Sequence, residues 1–227
     1  MNKRNTKWSV YTRLAKRKIF SALGNVNQFF SGKQQFNIRK GYHHSKTVLH
    51  FDDTVNKDEW QKEVYQLGVD LAKQMNNPAV LDVGCGSGYK LVHMFSNYKT
   101  TGIEVNPTYT WLTQKYPDKQ WLLFNTAQPK AIKADIIICS DVIEHVKNPD
   151  ELLAFVAQIP FEYFIVSTPE REALFGKNDF GPPANPCHFR EWNAEEFKNY
   201  VGRWFHIESQ HIFKTDNTVT QALVCKK

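Results

Sequence analysis

Four groups of residues in this chain have the types and spacing to do chemistry. The first is Gly84-Cys85-Gly86-Ser87-Gly88, directly after the apolar run Val80-Leu81-Asp82-Val83. Glycines at alternate positions let the backbone turn tightly from strand to helix and let a ligand touch the main chain. The next β-rich run ends in Glu104, where a carboxylate can accept hydrogen bonds from both ribose hydroxyls of a nucleoside cofactor. A dinucleotide loop would want a third small residue where Tyr89 stands, so a dehydrogenase is disfavoured.

The second group is Ser140-Asp141-Val142-Ile143-Glu144-His145 and the third is His188-Phe189-Arg190-Glu191, in a proline-rich loop. A helical turn would set Asp141, Glu144 and His145 on one face, at i, i+3 and i+4. With His188 arriving from the loop, two carboxylates and two imidazoles could hold a divalent ion such as Mg²⁺, which would lower the pKa of an acceptor hydroxyl. Alternatively His145 or His188 acts as a general base. A third reading keeps these side chains structural, with Arg190 paired to Glu191. The residue types leave all three open. The fourth group is Tyr42-His43-His44, followed by His50-Phe51-Asp52-Asp53 and Trp60. Histidines and aromatics suit contacts to a sugar or ring from a lid, and His43, His44 and Arg190 are the expected acceptor contacts. A solvated linker would look the same.

The elements that must position these groups alternate between helix and strand. Residues 59–75 read as a helix stopped by Asn76-Asn77-Pro78. Strand-like runs follow at 80–83, 100–105, 121–125, 135–141 and 163–169, and two more near 205–213 and 219–225 suit a hairpin. Helices are expected after Gly88, over 107–116, over 148–159 from Asn148-Pro149, and over 194–201 from the Asn193/Glu196 capping box. Strand–helix units ending in an antiparallel pair predict an α/β, doubly wound, mostly parallel sheet.

The runs LDVGCGSG, GIEVN and SDVIEHV resemble the successive signatures of the class I S-adenosylmethionine-dependent methyltransferases, from about residue 78 to the end. The resemblance implies a Rossmann-like fold of seven strands and S-adenosylmethionine as cofactor. It implies that Gly84, Cys85, Gly86 and Gly88 line the methionine and adenosine portions. Asp82 would order the loop or meet the cofactor's amino group, Glu104 would hold the ribose, and Asn125 would contact adenine. Ser140 and Asp141 would sit beside the methionine. Many relatives carry an acid near Asn125, a departure in this chain. The Asn/Asp-Pro-Pro-aromatic run of amino-methylating relatives is absent after the fourth strand, which favours an oxygen acceptor. The stretches STPERE and GPPANPCHFREW resemble bacterial glycan-modifying and small-molecule O-methyltransferases. The expected acceptor is thus a sugar, glycolipid or other small hydroxylated molecule. The alternatives are an RNA 2′-hydroxyl, since small-RNA methylating enzymes resemble the Glu-His run, and a non-catalytic cofactor-binding subunit.

Charge divides the chain. Residues 1–51 hold eleven Lys/Arg and no acid, whereas the remainder holds 18 basic and 23 acidic residues. A basic arm (1–51) bearing an amphipathic helix therefore precedes a methyltransferase domain (52–227), and its expected partner is an anionic membrane surface or a polyanion. Packing on the body is the alternative reading, and an acid-free basic start also suits a mitochondrial transit peptide. Four scattered cysteines (Cys85, Cys139, Cys187, Cys225) point to a reducing cytoplasm, and the first twenty residues lack a secretory pattern.

Overall fold

The apolar runs become seven strands: β1 Ala79–Val83, β2 Lys99–Glu104, β3 Gln120–Leu123, β4 Ile136–Ser140, β5 Tyr163–Pro169, β6 His206–Lys214 and β7 Val219–Lys226. The computed structural model describes residues 35–55, 60–214 and 218–227. One sheet runs in the order β3-β2-β1-β4-β5-β7-β6. It is parallel from β3 to β5, and β7 lies antiparallel to both β5 and β6. This is the expected seven-stranded Rossmann-like sheet. The proposed amphipathic helix of the basic arm falls within residues 1–34, outside the described residues.

Successive strand side chains point to opposite faces, and helices cover both, so the central strands are buried at nearly every position and mostly apolar. In β4, Ile137 and Cys139 pack with Leu81, Phe164 and Leu223 on one face. Ile136 and Ile138 pack with Val80, Ile165 and Val224 on the other. Helices α1 Lys62–Gln74, α2 Tyr89–Met94 and α3 Thr108–Lys115 cover the second face through Val64, Leu91 and Leu112. After the fourth strand, α4 Pro149–Ala157 turns to the first face with Leu152 and Val156. Its Asn148 cap accepts from the Asp150 amide, and Pro149 fills the first turn, where no amide is needed. Short helix α5 (Arg171–Phe175) follows β5, and α6 (Ala194–Val201) begins at the expected Asn193/Glu196 capping box.

Residues 35–51, grouped with the arm by charge, lie as a strap across the loop that follows α5. His43, Ser45 and Leu49 donate backbone amides to the carbonyls of Phe180, Phe189 and Pro186 at 2.8, 2.8 and 3.0 Å. The Trp192 indole donates to the Phe36 carbonyl, and the Glu191 amide to the Tyr42 hydroxyl. Beneath them Arg171 is fully buried, paired with Glu196 at 2.9 Å and stacked 4.9 Å from the Tyr42 ring centre. Arg39 joins the same network through Glu172 at 2.8 Å.

Candidate active site

β1 and β4 are neighbours, yet the helices that follow them cover opposite faces. The chain therefore parts above their carboxyl ends, where doubly wound folds bind ligands. A cavity of about 960 Å³ opens there. Gly84, Cys85, Gly86, Glu104, Ser140 and Asp141 line it together, with Glu144, His145 and His188.

The glycine turn has a steric reason. Gly84 has φ +77°, and a Cβ there would lie 2.4 Å from a Val142 methyl. Gly86, at φ +53°, faces Asp53 across the cavity wall. Gly88 serves packing instead: its Cβ would strike the Trp121 ring at 2.7 Å, and it does not line the cavity. Glu104 accepts from the amides of Val105 at 2.5 Å and Gly86 at 3.4 Å. Burial nevertheless pushes its carboxyl up to about 7. Asp82 sits beneath the floor, holding the Tyr65 hydroxyl at 2.8 Å, and does not itself face the cavity.

Asp141 takes the left-handed conformation, φ 53°. Its carboxylate accepts from Ser167 Oγ at 2.6 Å and Gln61 Nε2 at 3.1 Å, and its amide donates to Ser167. This anchoring turns the backbone, so the expected helical turn with three acids and bases on one face does not form. A 3₁₀ turn over Ile143–His145 carries Glu144 and His145 alone. Asp141 accordingly stands apart from the cluster in which Glu144, His145 and His188 each offer a ligand atom within 4.8 Å of the others.

Hydrogen bonds fix both imidazoles. His145 Nδ1 lies 3.0 Å from the Cys187 carbonyl, which can only accept, so Nδ1 carries the proton and Nε2 a lone pair. Burial, reinforced by His188, drops its pKa to about 3. It therefore stays neutral near pH 7 but is a weak proton acceptor. Asn185 Oδ1 accepts from the Cys187 amide at 2.9 Å, so its Nδ2 donates to His188 Nε2, also at 2.9 Å. That leaves His188 Nδ1 to donate to Glu191 at 3.0 Å. Both His188 nitrogens are committed.

The model of a methyltransferase-domain family matches residues 56–217. The chain belongs to that family. Solved structures with the same fold include PH0226 from Pyrococcus horikoshii OT3, at 16% identity, TM-score 0.56, over 75% of this chain and 92% of that one. The magnesium protoporphyrin IX methyltransferase of Synechocystis PCC 6803, solved with SAH, aligns over 94% and 99% at 16% identity and TM-score 0.56. The small RNA methyltransferase HEN1 aligns over 81% of this chain but only 27% of its own length, at 18% identity and TM-score 0.54. No curated protein matches the sequence.

Several expected contacts of this methyltransferase lie elsewhere. Asn125 is exposed in a 3₁₀ turn rather than ending β3, because the Leu123 carbonyl is taken by the Thr126 hydroxyl and Ala127 amide. Phe124 lines the cavity in its place. His43 and His44 belong to the strap and do not line the cavity; His44 packs edge-on to Tyr42 at 5.2 Å. Their neighbours His50, Phe51, Asp53 and Trp60 do line it. Arg190 is buried away from the cavity, donating to the carbonyls of Val146 and Lys147, each at 2.6 Å. Its expected partner Glu191 is paired with His188 instead. Phe175, Phe213 and Thr220 also face the cavity, and no motif announced them.

Mg²⁺ suits this cluster poorly. That ion seeks oxygen ligands, whereas two of the three donors here are imidazoles, one with both nitrogens engaged.

Proposed function

We propose that this methyltransferase takes its methyl group from S-adenosylmethionine and delivers it to an oxygen of a small hydroxylated acceptor. The observation that carries the reading is the shared cavity: the Gly84–Gly86 turn and Glu104 face it from one side of β4, while His145 and His188 face it from the loops beyond. Glu104 is 9% exposed, with two backbone donors and a raised pKa, the state of a carboxylate awaiting further donors such as ribose hydroxyls. The Synechocystis enzyme, solved with SAH, supports the choice of cofactor. The cavity, at about 960 Å³, has room for a nucleoside cofactor and a small second molecule.

Bound S-adenosylmethionine would supply an electrophilic methyl on a sulfonium. The chain's own residues hold the acceptor in line, which can provide much of the acceleration. As the acceptor oxygen gains the methyl and the S–CH₃ bond breaks to leave SAH, the hydroxyl proton must depart. The neutral His145 ring presents Nε2 as a hydrogen-bond acceptor for that hydroxyl and, with its pKa lowered to about 3, would pass the proton on to solvent rather than keep it. Calorimetry with SAH tests the reading. Wild type is expected to bind and to prefer SAH over NAD, and Glu104→Ala is expected to lose roughly 1–3 kcal/mol. A wild type that binds no SAH overturns it.

A further inference from the structure

We propose that the methyl acceptor is an uncharged, flat, ring-bearing hydroxylated molecule seated in the half of the cavity carried by β5, β6 and β7. The inference rests on the methyltransferase reading above and narrows its acceptor class. The sheet divides the cavity at β4. Gly84, Gly86, Glu104 and Phe124 come from the β1–β3 half, and Phe175 and Phe213 from the β5–β6 half.

Two independent features of the second half define what fits. The first is apolar surface left in water. In that half Phe175 is 38% exposed; Trp60, two residues before α1, is 45% exposed and lines the cavity as well. Large apolar side chains exposed within a concave site mark a ligand surface. Indole and phenyl faces stack on flat rings.

The second feature is charge. Among the described residues, Lys90 is the only Lys or Arg lining the cavity, and it lies on the cofactor side, 5.2 Å from the Tyr65 ring centre. The acceptor side offers the carboxyls of Glu144 and Glu191. Arg171 and Arg190 do not line the cavity, and their terminal guanidinium nitrogens donate to Glu196 and to backbone carbonyls. A phosphate or carboxylate on the acceptor would lose its water and find no cation among the described residues on that side of the cavity.

Binding in the presence of saturating SAH tests this with three probes: 2-naphthol, 3-hydroxy-2-naphthoate and methyl β-glucoside. The naphthol is expected to bind, with the naphthoate and glucoside each at least about tenfold weaker. Trp60→Ala and Phe175→Ala should each weaken naphthol binding about tenfold, with SAH affinity, which also reports folding, held within about twofold. Phe175→Lys should turn the preference toward the naphthoate. The proposal is overturned if naphthol fails to bind, or if the glucoside, the naphthoate or a short oligoribonucleotide binds more tightly. It is equally overturned if both alanine variants bind naphthol as wild type does, or if they lose SAH affinity instead. Wild type binding SAH but not naphthol sinks this inference alone, whereas absence of SAH binding sinks the methyltransferase reading beneath it.

Discussion

Burying a carboxylate at the tip of a strand is costly unless donors reach it, and Glu104 shows that cost as a pKa of about 7. Ribose hydroxyls donate to the ionised form, so cofactor binding should expel the proton. Below pH 7 the free protein holds that proton, and affinity for SAH is expected to fall by up to about tenfold per pH unit. Above pH 7 it should level off. Glu104→Gln, which cannot ionise, should bind weakly with no such slope between pH 6 and 8; calorimetry at three pH values checks both. Gly84 poses a different constraint at the same scale. An alanine there must hold φ near +77° and place its Cβ 2.4 Å from Val142. Gly84→Ala is expected to cost about 1–3 kcal/mol of stability, read by denaturant melts, and to weaken SAH binding as the turn shifts.

The strap and the loop after α5 form one unit, because each supplies what the other lacks. Backbone groups of residues 36–49 find their partners in residues 180–192, and Arg171 ties both to α6 through Glu196. Removing one member of a buried ion pair leaves the other charge stranded. Arg171→Met is thus expected to lose roughly 3–5 kcal/mol in a chemical melt, with His145 losing its fixed Cys187 partner as the loop loosens. A loss below about 1 kcal/mol would show that Arg39 alone holds the network together. The strands were legible from their β-branched runs, and the α6 capping box from Asn193 and Glu196. The turn after β4 was not. Its i, i+3, i+4 spacing suits a helix, but Ser167, contributed by β5, captures Asp141 and sends the backbone left-handed.

Two expectations concern the molecule as a whole. Asp82 is buried with its pKa raised to about 7 from 3.8, so the folded state holds a proton that the unfolded chain releases. Its stabilising share is complete below pH 3.8 and is lost as the pH climbs through 7. Stability should therefore decline over that window by a component that Asp82→Asn removes, as melts across the range would show. Charge segregation suggests the second expectation. Deleting residues 1–34 should leave SAH affinity unchanged, since every described group lining the cavity lies from His50 onward. It should abolish co-sedimentation with phosphatidylserine vesicles at low salt. Equal sedimentation of both forms would remove the arm's proposed role. Among the described residues, no helix is long and apolar enough to cross a membrane.

By itself the sequence determined the sheet, its order of elements and the glycine turn and Glu104 that line one side of the cavity. These follow from local causes: apolar runs with their flanking breakers, and glycines and an acid at strand ends close in the chain. Tertiary structure decided the rest of the lining. Phe175, Phe213 and Trp60 reach the cavity from separate parts of the chain, and no spacing along it links them. It also decided what the polar side chains do. Arg190 and His188 look alike as loop residues, yet burial under the strap gives one to backbone carbonyls and the other to Glu191. A polar group's role is set by which partners reach it once water is excluded, and those partners come from across the fold.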